Sequence, residues 1–339
     1  MKTDDATLLI TGGTGTFGKA FIKLCLSGRT FNKIIILSRD EFKQHQLRVD
    51  LVSQLGELEV DRRFRFFLGD VRDVSRLRRA FAGVDVVVHA AALKHVPFCE
   101  YNPSEALLTN VTGTKNVCDA AIDCDVQRVV CLSTDKAVEP INFYGSTKML
   151  AERYAVHSNV YAAGKTAVSC VRYGNIVGSR GSVVESFRTL PAPIPFQITH
   201  PEMTRFWMHI HDAAKAVMWT IKECHGGEVV VPLIRSCRVT DLARAIDPTR
   251  QQVTVGIRPG EKFHEQLFNR REHEHAFDVI SQWQHDKTMY YVVVPESVEF
   301  DPLRRSYSTH CSLTFRRSYC SNDASALMSA AEISETAAT

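Results

Sequence analysis

No stretch of this sequence approaches the roughly 18 consecutive apolar residues of a membrane-spanning helix. Its opening residues, MKTDDATLLITGG, lack the apolar core of a secretory leader and lead straight into a strand. There are ten cysteines, but no two form a C-x-x-C pair and none clusters with histidine at zinc-ligand spacing. No metal is therefore expected, and the thiols read as reduced core residues of a cytoplasmic protein. Charge of one sign is scarce too. A formal net charge of +3 over 339 residues gives no basic surface for nucleic acid. No internal repeat is visible. An apolar fraction of 45% remains, enough for a sizeable core and incompatible with wholesale disorder.

The first half alternates apolar runs with amphipathic segments. TLLIT, KIIILS, FRFFLG, VDVVVHAAA, RVVCLS and AVSCVRYGN read as strands. Helices are predicted between them over about 16–27, from Phe42 through Leu55, near Leu77 to Phe81, from about Pro103 to Ile122, and around Tyr144. Strands without polar alternation, each followed by a helix, indicate a parallel sheet covered on both faces. That is a doubly wound α/β fold, with its ligand crevice at the carboxyl ends of the strands. The rhythm changes after Asn175, where LPAPIPFQITHPEMTRFW is proline-rich and loop-like. The expected organisation is a Rossmann-type domain over 1–175, rejoined by about 209–230, and a smaller substrate-binding region over 176–300. Residues 301–339 form a tail of weak periodicity, expected to be partly disordered, with one final helix in DASALMSAAEIS.

Three motifs carry chemistry. In TGGTGTFGK, Gly12, Gly15 and Gly18 stand three apart between the first strand and its helix. This spacing lets the backbone turn tightly and bring a pyrophosphate to the helix N-terminus, with Thr14, Thr16 and Phe17 alongside. Tight strand–helix turns also use glycine for purely structural reasons, so the setting in the first βα unit matters. The second strand ends in LSRDEFKQ, where Ser38, Arg39 and Lys43 suit the 2′-phosphate of NADP better than the ribose of NAD. Asp40 is equally placed to cap the following helix. Asp70 in LGDVRD, next to Val71, suits either the adenine amine or the cap of the next helix. In STDKAVEPINFYGSTK, Tyr144 and Lys148 are one helical turn apart. A nearby ammonium lowers a phenol from about 10 toward neutrality, which makes Tyr144 a general base for a sugar hydroxyl. Thr134 is placed to share that proton, and Asp135 stands directly beside Lys136.

Through TGGTGTFG, the HAAA that includes Ala90, Ala91 and Ala92, and YGSTK, the sequence resembles the extended short-chain dehydrogenase/reductase family. Asn110 in TNVTGT then corresponds to the helix asparagine that positions water and the active-site lysine. The resemblance is closer to the inverting UDP-N-acetylglucosamine 4,6-dehydratases. It runs from about residue 7 to 295 through SRDEFKQ, AAALKHVPFCEYNPSEALLTNVTGT, STDKAVEPINFYGSTK, VRYGNIVGSRGSV, MTRFW and IRPGEKFHEQL.

That resemblance implies NADP as cofactor and UDP-N-acetylglucosamine as substrate. Oxidation at carbon 4 acidifies the hydrogen on carbon 5. A desolvated, neutral Lys136 removes it, while Asp135, protonated in an apolar pocket, donates to the departing hydroxyl of carbon 6. Hydride returns to carbon 6, and a proton from the opposite face inverts carbon 5. Around the sugar nucleotide the resemblance sets Lys94, Tyr173, Asn175, Arg180, Ser182, Val183 and Thr204, with Arg205 and Arg258 on the diphosphate and Glu261 on the uridine ribose. A homo-oligomer, dimer or hexamer, is implied as well. Two other readings share the fold: a UDP-sugar 4-epimerase or reductase, and a non-catalytic NADP-binding regulator. The adjacent acid and base argue against the former, and the retained tyrosine and lysine against the latter.

Overall fold

The apolar runs are buried because both faces of the strands they form are covered. Leu8, Leu9 and Ile10, and likewise Val86, Val87 and Val88, have no solvent exposure, the pattern of strands sandwiched between helices. The structure is a computed structural model and describes residues 3–28, 30–179, 181–281, 288–313 and 318–338. Six parallel strands, β1 (Thr7–Thr11), β2 (Lys33–Ser38), β3 (Phe64–Leu68), β4 (Val86–His89), β5 (Arg128–Thr134) and β6 (Ala167–Tyr173), lie in the order 3-2-1-4-5-6. This is the doubly wound order. β1 pairs with β2 on one side and β4 on the other, so the direction of winding reverses above their carboxyl ends, where a crevice opens.

Local signals set the elements. Asp40 accepts a bond from the Lys43 amide and starts the helix Glu41–Leu55, and Asp73 does the same for Val74–Phe81 through the Arg76 amide. Asn142 caps the helix Phe143–His157 by accepting from the Gly145 amide at 2.7 Å. The helix expected over Pro103–Ile122 runs without a break from Pro103 to Asp123, with a π-helical turn, Leu107–Thr112, in its middle. The wide turn carries Thr109 and Asn110 inward, and a side chain at Gly113 would meet Val71 at 2.7 Å. Such bulges concentrate at functional sites.

Beyond β6, the helix Ile210–Glu223 returns to the sheet and packs against the helix Thr16–Ser27. The strand Val229–Pro232 then joins β6 in parallel. Antiparallel strands Thr288–Val293, Ala276–Ser281 and Ser312–Leu313 extend the same edge. The other residues after β6 build small sheets over the crevice, including Asn175–Ile176 with Thr204–Met208 and Arg235–Arg238. The described residues beyond 301 form helices Asp301–His310 and Ala330–Ala338. They also form a strand, Tyr319–Cys320, that pairs with Gln266–Phe268. Tyr319 and Ser321 in this segment have no solvent exposure, so it is fastened by packing that its irregular sequence does not advertise.

Behind the crevice, Arg172 on β6 ties three segments together. It donates to Glu152 of the helix Phe143–His157, to Glu272, and to the Leu267 carbonyl at 2.8 Å. Its side chain is 3% exposed. Removing one partner of a buried charge cluster leaves the others uncompensated. Arg172→Met should therefore cost about 3–5 kcal/mol in urea unfolding at neutral pH. A cost below about 1 kcal/mol would show that the cluster behaves like a surface pair.

Candidate active site

A cleft of about 550 Å³ opens at the carboxyl ends of β1, β4, β5 and β6. Gly12, Gly15, Thr16, Phe17 and Gly18 line it, with Ala90–Ala92 opposite. Gly12 has φ +68°, and a side chain there would meet the Ala91 amide nitrogen at 2.9 Å. At Gly18 a Cβ would lie 2.3 Å from the Gly13 carbonyl oxygen. Only glycine permits this approach of helix to loop. No side chain caps the helix Thr16–Ser27, so its first amides are directed at the cleft, as an anion would require. The donor set fits a dinucleotide pyrophosphate.

A second space of about 420 Å³ adjoins it, lined by Thr14, Ser38, Arg39, Lys43, Asp70 and Val71 among others. Arg39 is more than half exposed and 3.4 Å from Asp70. Lys43 pairs with Asp40 at 2.5 Å. Burial would raise the Asp70 carboxyl, but Arg72, bonded to it at 2.7 and 2.9 Å, holds it below the ordinary range. The cap of the next helix belongs to Asp73, which leaves Asp70 on the pocket wall.

The expected catalytic residues meet on the floor of the first cleft. Thr134, Lys136, Tyr144 and Lys148 line it, and Asp135 lies beneath, with no solvent exposure. Thr134 Oγ1 donates to Asp135 Oδ1 at 2.9 Å, and Lys136 Nζ donates to the same oxygen at 3.0 Å. Asp135 Oδ2 is buried with no hydrogen-bond partner. Burial raises the Asp135 carboxyl above its ordinary value, against the pull of Lys136. Burial alone would lower Lys136, but Asp135 and Glu265 overcome it and hold the ammonium above the ordinary lysine value. The expectation of a neutral Lys136 is thus not met at rest: two carboxylates, not one, face it. Lys148 Nζ donates to the Leu132 carbonyl at 2.7 Å, and burial lowers its pKa. Tyr144 departs from expectation as well. Burial pushes its phenol up to about 12, and the cation that opposes this is Lys136 rather than Lys148.

Asn110 accepts from the Leu93 amide at 2.8 Å and donates to the Leu93 carbonyl at 2.9 Å and to Thr147 Oγ1 at 3.0 Å. It therefore fixes the loop after β4 against the Lys148 helix. Lys94, Tyr173, Asn175, Ser182 and Val183 line the cleft, and Asn175 Oδ1 accepts from Lys136 at 3.3 Å. Arg180 lies outside the described residues.

Four expectations about the substrate are not met. Arg205 is buried. Its guanidinium donates to the Thr204, Lys262 and Phe263 carbonyls and to Met203 Sδ, so those donors are engaged away from a diphosphate. Thr204 is turned toward His264 and Ser321. Arg258 is exposed and Glu261 accepts from its amide at 3.2 Å, which closes a local turn outside the cleft lining. Sequence reasoning also missed Glu265, buried 3.3 Å from Lys136, and His95, which lines the cleft against Gly181. The string EKFHEQL offers two acids, and spacing alone does not say which one turns inward.

The glycine turn, the parallel sheet and the tyrosine–lysine helix define a dinucleotide-binding protein of the extended short-chain dehydrogenase/reductase class. More narrowly, the chain belongs to the polysaccharide biosynthesis protein family, whose model matches residues 8–286. It is 46% identical over 261 residues to the inverting UDP-N-acetylglucosamine 4,6-dehydratase of Campylobacter jejuni strain 81-176, covering 76% of each chain. It is 39% identical to a UDP-glucose 4-epimerase of Rickettsia conorii, covering 81% of each. Its fold matches Pen from Bacillus thuringiensis with a TM-score of 0.84 and 31% identity, over 99% of this chain and 98% of that one.

His89, at the end of β4, spans the floor between Thr11 (2.7 Å) and Thr114 (3.0 Å). Burial pushes it down to about 3 from 6.5. The unfolded chain therefore binds this proton first as pH falls, and stability is lost below pH 6.5 until about pH 3. Wild type should lose stability faster than His89→Asn across that window, by up to about 1.4 kcal/mol per pH unit. Parallel slopes in chemical denaturation would refute the assignment.

Proposed function

We propose that the protein is a nucleotide-sugar 4,6-dehydratase that converts UDP-N-acetylglucosamine to a UDP-4-keto-6-deoxy sugar with inversion at carbon 5. The observation that carries this reading is the Asp135–Lys136 contact of 3.0 Å under Thr134 and beside Tyr144. An oxidising site alone needs only the phenol and its neighbours. A buried acid in contact with a base that lines the cleft adds the means to eliminate water.

The glycine turn and the Ala90–Ala92 loop would hold NADP, whose nicotinamide would supply a reversible hydride acceptor for carbons 4 and 6 of the sugar. Tyr144 takes the proton of the carbon 4 hydroxyl, with Thr134 hydrogen-bonding to the same oxygen. Moving one proton from Lys136 to Asp135 turns the resting ion pair into a neutral amine and a neutral acid. In a site of low dielectric the neutral pair is the easier one to bury. Lys136 then removes the carbon 5 proton and Asp135 protonates the carbon 6 hydroxyl, which leaves as water.

The choice of NADP rests on Arg39 and Lys43 at the second space. In this reading residues 1–175 and about 209–230 hold the cofactor, 176–300 hold the sugar nucleotide, and 301–339 form a C-terminal segment. Exposed Phe98, Tyr101, Leu107, Leu108 and Leu150 on adjoining helices support a homo-oligomer. All ten cysteines are free, which supports the cytoplasm. No described helix is long and apolar enough to cross a membrane.

The decisive experiment is incubation with UDP-N-acetylglucosamine, read by product mass. Loss of one water supports the dehydratase, and an isomer of unchanged mass supports a 4-epimerase. Tyr144→Phe should lower turnover about 10²–10⁴-fold. Lys136→Ala should still oxidise carbon 4 and then stall with reduced nicotinamide bound, visible by absorbance, and with no deuterium entering carbon 5. Asp135→Asn should retain exchange at carbon 5 and slow the release of water. Wild-type water release in both variants would refute their roles. Arg39→Ala should weaken NADP retention relative to NAD, and an unchanged ratio in denatured extracts would reject the phosphate assignment.

A further inference from the structure

Glu265 enters the site from far along the chain. Its carboxylate is buried, 3.3 Å from Lys136 Nζ, 3.9 Å from Lys262 Nζ and 4.0 Å from Arg205 Nε. The backbone that carries it is clamped on both sides. Its amide donates to Ser321 Oγ at 2.9 Å, and the Ser321 amide donates to its carbonyl at 2.8 Å. Ser321 Oγ also meets Thr204 Oγ1 at 2.6 Å. Arg205, bonded to the Lys262 and Phe263 carbonyls, fixes the loop that leads to it. The C-terminal segment, beyond the residues matched by the family model, thus holds an acid against the elimination base.

Three cations and two carboxylates gather here: Lys136, Arg205 and Lys262 against Asp135 and Glu265. Tyr144 faces Lys136 from the neighbouring helix, and Cys320 faces Glu265 from the tail strand. Without Glu265, Asp135 would be the one carboxylate among the described residues in contact with Lys136, and a Lys136 ammonium would hold it ionised. With Glu265 present, Lys136 keeps a counter-ion while Asp135 carries a proton. The unpartnered Asp135 Oδ2 is where that proton fits.

We propose that Glu265, held by Ser321, is a positioning residue for elimination. It is the counter-ion that stabilises the Lys136 ammonium formed when carbon 5 is deprotonated, and it leaves Asp135 free to act as the acid. This rests on the dehydratase reading above. Burial raises Glu265, but Lys136, Arg205 and Lys262 hold it below the ordinary carboxylate value, as a permanent counter-ion requires.

The test measures Lys136 directly. Purified full-length protein is labelled with trace acetic anhydride across alkaline pH, and acetylation of the Lys136 peptide is followed by mass spectrometry. The labelling midpoint should fall by about 1–3 pH units in Glu265→Gln, and by less in Glu265→Asp, which keeps the charge. Glu265→Gln should also lower water loss from UDP-N-acetylglucosamine about 10–100-fold while carbon 4 oxidation persists. If the glutamine variant does not fold, Glu265→Met, which also removes the charge, carries the test, and a wild-type midpoint there overturns the proposal. An unchanged midpoint in a folded Glu265→Gln overturns it equally. A shifted midpoint together with no water loss by wild type would support the counter-ion role and overturn the assigned reaction instead.

Discussion

A fully buried acid is held in contact with a largely buried base at the carboxyl end of β5. Burying charge of either sign is costly unless each charge is paired and bonded, so Asp135 and Lys136 constrain what surrounds them. Thr134 and Asn175 supply bonds from the two neighbouring strand ends, and Glu265 supplies a second carboxylate. Arg205 and Lys262 balance that carboxylate, and Ser321 holds its backbone. The partners come from five separate parts of the chain, with Lys262 and Glu265 sharing one. Part of the region after β6, which looks irregular as sequence, is thereby tied to one charged contact.

The same constraint explains which parts of the site can be read from the sequence. Thr134, Asp135 and Lys136 are consecutive at a strand end, and Tyr144 and Lys148 are one helical turn apart. Their spacing alone brings them together once the strand and helix are recognised. The glycine turn is legible for the same reason, since Gly12, Gly15 and Gly18 act on a single loop. The strands of the first half are legible because burial on both faces strips them of polar residues. Arg205 and Glu265 are different. An arginine beside aromatic residues and a glutamate two positions after a phenylalanine have many surface equivalents. Tertiary contacts decide between them: the pairing of Gln266–Phe268 with Tyr319–Cys320 positions Glu265, and the Lys262 and Phe263 carbonyls engage Arg205. The tail escaped notice because isolated buried residues, Tyr319 and Ser321, anchor it without a periodic apolar face.

Burial moves the oxidation pair in opposite directions. It pushes the Tyr144 phenol up to about 12 and the Lys148 ammonium down, because desolvation disfavours whichever form is charged. At rest the phenol is therefore protonated and a poor base. Lys136 is the cation that opposes this shift, so in the proposed reaction the elimination base would also act on the oxidation base. A proton passed from Lys136 to Asp135 removes that help from Tyr144. In the proposed reaction the two half-reactions would then be ordered by charge. Tyr144 ionises most readily while Lys136 is still an ammonium, and Lys136 becomes a base only after it gives up its proton. One lysine between two carboxylates, at the mouth of one strand, would set that order in the proposed reaction.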